Sequence, residues 1–416
     1  MNIRTINQII KDTDYIHTSG TLQELQVARY LMDKCQQMGI HAYLEAFPVE
    51  MANVKMAKLM AYQNEEGEGT EVPCKGFKLC GSGSVEAPLY YMPNQDQVSL
   101  QKAKGKIVLV DSGMHHFLYQ DLIKAGAAGF ITYTGNVNFQ DTDIDQSELR
   151  SFVRGDAPKI LGAAINAKTA FELVKRKTKR VKIEVDQEEY EGESHNVIAE
   201  IPGTSDEWIV LTAHYDTVPL SRGSYDNMSG CIGVLEVLEA LKEGAPHRYG
   251  IRAVFCGSEE RGLLGSKAYT AAHKQDLDKV ALNVNLDMIG SVMGKFIAVV
   301  SAEEALVSFI RYFAAKRGWG IDARTGVYSS DSTPFADGGV PALSFARITG
   351  PGQSNIHSRY DTPKILSAER LKEDGSFIAE FVKEMADAVC CPVKREMPEK
   401  IKEQLDEYLN RKRPEQ

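Results

Sequence analysis

WIVLTAH, residues 208–214, is a continuous apolar run that ends on an imidazole. Two later stretches repeat the design. IRAVFCGSEE (251–260) ends on adjacent glutamates, and ALNVNLDMIG (281–290) places Asp287 after its apolar residues. Runs without a polar face read as strands buried on both sides, the pattern of a parallel sheet covered by helices. Between the first two lies MSGCIGVLEVLEALKEG (228–244), an amphipathic helix pattern stopped by Gly244. FIAVV (296–300) and ALSFARI (342–348) continue the alternation. Alternating strands and helices predict an α/β fold with a mixed, mostly parallel sheet sandwiched by helices. Ligands of such sheets sit beyond the carboxyl ends of the strands. His214, the Glu259–Glu260 pair and Asp287 all fall there.

Two further residues complete a donor set: Asp226 in SYDNMSG (224–230) and His357 in NIHSRYDT (355–362). Two imidazoles and three carboxylates hold two zinc ions if one carboxylate bridges them. Two Zn²⁺ carry four positive charges, the carboxylates supply three negative ones, and a bridging hydroxide supplies the fourth. Such a cluster is buried near neutrality. One of the two adjacent glutamates is then left without a metal, as the general base that hydrolysis needs. Asp216, two positions after His214, is placed to accept the imidazole's other N–H and fix its tautomer.

Taken in order, these segments resemble the co-catalytic di-zinc aminopeptidase family, whose members remove N-terminal residues from peptides. The spacing from His214 to Asp226, the paired glutamates, the NLDMIG strand end and a late histidine followed by Asp361-Thr362-Pro363 carry the resemblance. It covers about 190–390, and the first fifty residues more loosely. The resemblance implies two Zn²⁺, with other divalent metals possible. It puts His214 and Asp287 on one metal, Glu260 and His357 on the other, and Asp226 on both. It makes Glu259 the general base, with peptides bearing a free N-terminus as substrates; Asp216, as the partner of the His214 imidazole, is the second expected catalytic residue. Tyr328 is a candidate to polarise the scissile carbonyl. The chain departs from the pattern at Tyr225, where many relatives have Asp, and at Ile356, where some have Tyr.

The bulk composition narrows the partners. The chain has 416 residues, a net charge of −9 and no long basic run, which argues against nucleic acid. No apolar run approaches the ~20 residues of a membrane span. The opening MNIRTINQIIKDTDYI lacks a signal-peptide core, so a cytoplasmic location is expected. Seven cysteines without C-x-x-C spacing read as reduced thiols.

The length predicts two domains. Thr21-Leu22-Gln23-Glu24 reads as a capping box, with Leu25, Ala28, Met32 and Cys35 at helical spacing and Gly39 as the stop. IHAYLEAFPVE (40–50) alternates as a strand. From about 55 to 190 the pattern changes. GKIVLVDSG (105–113) reads as a strand and turn, and DLIKAGAAGFITYTG (121–135) as a short helix and a buried strand. PKILGAAIN (158–166) and VKIEVDQEE (181–189) close the segment. The helix–strand pair resembles a protease-associated (PA) domain, a β-rich insert. The expected division is 1–54 plus 191–416 for the catalytic domain and 55–190 for the insert. The tail VKREMPEKIKEQLDEYLNRKRPEQ (393–416) reads as a solvated helix starting near Pro398.

Three alternatives share the scaffold. A carboxypeptidase or dipeptidase needs a cation for a C-terminal carboxylate, with Arg347 and Arg359 as candidates. A glutaminyl cyclase normally uses one zinc and has no such insert. A receptor-like binding protein would have kept the fold and lost catalysis.

Overall fold

The computed structural model describes all residues except 65–66, 112, 139–142 and 415–416. The chain divides into two compact units, Met1–Val49 with Glu193–Gln416, and Glu50–Gly192.

In the first unit four parallel strands stand side by side in the order Ala342–Ile348, Val280–Leu286, Trp208–His214 and Gly250–Cys256. Antiparallel neighbours border them. Lys295–Ser301 pairs with Ala342–Ile348, and Val197–Ile201 pairs with Gly250–Cys256. The sheet is therefore mixed and mostly parallel. Alternation explains why these strands show no polar face. Ile209, Leu211 and Ala213 enter one core with the helices Leu22–Gln37, Ser229–Glu243 and Ala368–Ala386, while Val210 enters a second core with Tyr269 and Phe335. Register then aligns the strand ends, with His214 opposite Cys256 and Leu286 opposite Phe345.

Helix Ser229–Glu243 is more deeply set than an amphipathic surface helix. Every residue from Ser229 to Leu238 is buried. Its first turn lies against the end of the Asp287 strand, where a Cβ on Gly230 would come within 2.3 Å of the Leu286 carbonyl oxygen. Only glycine allows that approach. In helix Leu22–Gln37 the capping box forms differently from its pattern. Thr21 accepts from the Glu24 N–H at 3.2 Å, but the Glu24 carboxylate accepts from Gly20 N–H. The inward stripe is Glu24, Val27, Ala28, Leu31 and Cys35, one step round from the expected one.

In the second unit the strands Gly83–Met92, Ile107–Val110, Gly129–Thr134 and Gly162–Asn166 run parallel in that order. Val181–Val185 pairs antiparallel with the first of them. Helices His116–Ala125 and Ala167–Lys175 accompany them, with separate apolar clusters around Phe130 and Ile131. Residue 112 of the expected 105–113 turn lies outside the described residues.

The tail is not a solvated helix. Glu399–Tyr408 is helical and buries Ile401 and Leu405 beside Phe335 and Ala336. Ahead of it Arg395 donates to the carbonyls of Leu277, Asp278 and Val280. The last two residues of the expected tail lie outside the described residues. Among the described residues no helix is long and apolar enough to cross a membrane.

Candidate metal centre

His214 closes its strand with Nε2 3.1 Å from Asp226 Oδ1 and 3.9 Å from Asp287 Oδ1. His357 places Nε2 3.1 Å from Asp226 Oδ2 and 3.2 Å from Glu260 Oε2. Each oxygen of Asp226 thus faces a different imidazole. Two groups of donors result, His214–Asp226–Asp287 and Asp226–Glu260–His357, with all atoms of each group within 4.8 Å of one another. Glu259 belongs to neither group among the described residues, and its Oε2 lies 3.8 Å from His214 Nε2.

The backbone sets these side chains from outside the ligand groups. The Tyr225 and Asp226 N–H groups donate to the Asp361 carboxylate at 2.8 and 3.1 Å. Asn227 ties the next peptide to the Asp287 strand. Its Nδ2 donates to Leu286 O at 2.9 Å, and its Oδ1 accepts from Gly230 N–H at 2.9 Å and Met288 N–H at 3.0 Å. The glutamate turn begins at Ser258, whose φ is 56°. Asp216 accepts from the Glu259 N–H at 2.8 Å and the Glu260 N–H at 3.2 Å, one through each oxygen. Its Oδ1 stands 3.5 Å from His214 Nδ1, beyond ordinary hydrogen-bond length. Asp216 is thus first a holder of the glutamate turn and only second a partner of the imidazole. Behind it, Glu24 accepts from Ser194 Oγ at 2.7 Å and Ser258 N–H at 3.1 Å.

Charge is concentrated and poorly solvated. Burial raises the Glu259 carboxyl well above its ordinary value, with Glu260 and Asp331 adding like charge against the pull of His214. Burial also raises Glu260, helped by Asp226. Asp287 is pushed up to about 8 by burial and by Asp226. Burial works against the charged form of Asp226 too, but the two imidazoles outweigh it and hold the carboxyl low. His357 shows the reverse balance. Its side chain is 53% exposed, so desolvation lowers it only in part, and Asp226 and Glu260 lift it to about 11. Asp287 Oδ1 is buried without a hydrogen-bond partner. Packed carboxylates and an orphaned buried oxygen call for positive charge. A mixed nitrogen and oxygen donor set suits zinc and its first-row neighbours. The residues therefore fit divalent cations, with Asp226 common to both donor groups.

Sequence reasoning missed Glu24 and Asp361 as supports of the site. Glu24 had a signal, a carboxylate in the buried stripe of its helix. Tyr328 is half-buried with Asp287 and Glu259 among the charges around it. Arg347 does not offer itself to a substrate carboxylate. Its guanidinium donates to both oxygens of Asp374 at 2.8 and 2.5 Å and to Gly294 O at 3.2 Å.

Residues 196–382 match the family model of peptidase family M28. The chain is 33% identical over 208 residues to aminopeptidase YwaD of Bacillus subtilis (strain 168), covering 47% of this chain and 44% of that protein. It is 30% identical over 219 residues to leucine aminopeptidase 1 of Trichophyton equinum, covering 46% and 58%. The matched stretch thus spans about half the length of these curated relatives. The solved structure of BSAP, a zinc aminopeptidase from Bacillus subtilis, shares the fold with a TM-score of 0.74 at 23% identity, covering 95% of this chain and 94% of that one.

Proposed function

We propose that this chain, whose residues 196–382 match the peptidase family M28 model, removes residues one at a time from the free N-terminus of peptides by metal-dependent hydrolysis. The observation that carries this reading is the pair of donor groups hinged on Asp226 with one unassigned carboxylate, Glu259, beside them. The names of the aligned relatives support it.

Two zinc ions held by His214, Asp226, Glu260, Asp287 and His357 would lower the pKa of a water and polarise the scissile carbonyl. The residues do the rest. Glu259 takes a proton from the attacking water. It then passes that proton to the leaving amine. Asp216 fixes the Glu259 backbone, so the carboxylate keeps its place through the transfer. Tyr328 would donate toward the carbonyl oxygen as charge develops there.

Glu50–Gly192 is read as the protease-associated insert, on its parallel strands and their Gly/Ala-rich joins. All seven cysteines are free thiols, which supports a reducing compartment such as the cytoplasm. The carboxypeptidase reading loses Arg347 to Asp374.

Mass-spectrometric product analysis of one peptide and its N-acetylated twin, with zinc-loaded protein, tests the activity. Stepwise loss from the free N-terminus, abolished by acetylation, is expected. Loss from the C-terminus of both peptides would move the assignment to a carboxypeptidase.

A further inference from the structure

The turn that carries Glu259 and Glu260 is held from a part of the chain outside the matched residues 196–382. Glu24 is the third residue of helix Leu22–Gln37 and is 1% exposed. Its Oε1 accepts from Ser194 Oγ at 2.7 Å, from Ser258 N–H at 3.1 Å and from Ser258 Oγ at 3.4 Å. Its Oε2 accepts from Gly20 N–H at 2.6 Å. Ser19 Oγ meets Ser258 Oγ at 2.5 Å. All the donors to Glu24 named here are neutral groups, and a carboxylate buried among such donors is costly to keep. The cost falls at a strained position. Ser258 has φ 56° and ψ 32°, the left-handed region that a serine enters unfavourably.

Three successive backbone N–H groups thus end on carboxylates. Ser258 donates to Glu24, and Glu259 and Glu260 donate to Asp216. The chain entering the turn is confined as well. A Cβ on Gly257 would come within 2.5 Å of Ser194 Oγ and of the His195 carbonyl oxygen. Asp216 sets the two glutamate amides, but the residue that directs the chain into them is set by Glu24. Without it Ser258 is free to leave the left-handed region, and the Glu259 side chain turns with it. We propose that Glu24 is a positioning residue for the hydrolysis, fixing the direction of the Glu259 carboxylate by holding Ser258. Residues 1–49 then belong to the catalytic machinery and not only to the core. The effect on Glu259 rests on the aminopeptidase reading; the hold on the turn does not.

The test compares the full chain, zinc-loaded, with Glu24→Ala, Glu24→Gln and Leu31→Ala. Leu31 lies two turns further along the same buried stripe and is the control for lost helix packing. Hydrogen exchange of residues 257–263 is measured against that of strand Trp208–His214, which reports global opening. Glu24→Ala should speed the turn relative to the strand by about tenfold or more, the scale of a lost hydrogen bond to a charged group. Leu31→Ala should speed both alike. Turnover of leucine p-nitroanilide is the second readout. Glu24→Ala should lower kcat about tenfold with KM within about twofold, and Glu24→Gln, which keeps an oxygen for Ser258, should lose less. In a Glu259→Gln background Glu24→Ala should cost no further kcat, because the group it positions is already gone. A turn that exchanges only in step with the strand, or an equal kcat loss in both backgrounds, would overturn the proposal. Selective exchange in a protein that cleaves nothing would keep the hold on the turn and reject the aminopeptidase reading instead.

Discussion

Asp216 Oδ1 accepts the backbone N–H of Glu259 at 2.8 Å. Asp216, two positions after His214, thus holds the backbone of the proposed base, Glu259, through one oxygen and that of the proposed ligand Glu260 through the other. An amide in its place can accept through one atom only and presents N–H to the other backbone donor. Asp216→Asn is expected to lower both zinc affinity, by about 10- to 100-fold, and turnover at saturating zinc. Chelator competition and steady-state kinetics read the two effects. Loss of affinity with full turnover once zinc is restored would confine Asp216 to the imidazole.

The two donor groups predict unequal losses of metal. His357→Ala removes a ligand from one group only, so the purified protein should keep about one zinc per chain. Asp226→Ala strips both groups of their shared oxygens and should keep less. Elemental analysis after dialysis distinguishes these results from equal loss in the two variants.

Without metal the site should make stability fall as pH rises. Glu259, Glu260 and Asp287 have raised folded-state values, the last about 8, so near neutral pH the folded protein holds protons that the unfolded chain has released. His214 and His357 are also raised, so their contribution is complete below about 6.5 and fades as pH climbs through the folded value. Asp226 opposes this only in strong acid. All the larger contributions have the same sign. The Tm of chelator-treated protein should drop from pH 5 to pH 8, and zinc should raise Tm most at pH 8. A flat Tm in metal-free protein would show that the cluster does not carry this charge.

Arg347 and Asp374 form a buried pair, and either one alone is a buried charge without its partner. Arg347→Met should destabilise the protein by about 3–5 kcal/mol, whereas the double variant Arg347→Met/Asp374→Leu should recover much of the loss. Denaturant unfolding measures both. A stable single variant with altered substrate affinity would return Arg347 to the substrate site.

The central strands were legible because burial on both faces leaves no polar positions. Ile209 and Val210 point into different cores, and both must be apolar. The proposed ligand residues stood out for a related reason, since a carboxylate directly after an apolar run, as at Asp287, needs a partner. The supports were harder to see. Glu24 lies in sequence far from the turn it braces, and a capping box already explained it. Asp361 reaches Tyr225 and Asp226 across 136 and 135 positions. Pairings of that range leave no local pattern. The tail misled for the opposite reason. Its charged residues dominate the composition, while the docking face needs only Ile401, Leu405 and Tyr408.

The most direct test of the mechanism is the Glu259→Gln variant, assayed for zinc content and for release of the N-terminal residue. Glu259 lies outside both donor groups, so zinc content should match wild type while kcat falls by about 10²- to 10⁴-fold. Near-wild-type turnover at full zinc would contradict the base assignment, and loss of one zinc would make Glu259 a ligand.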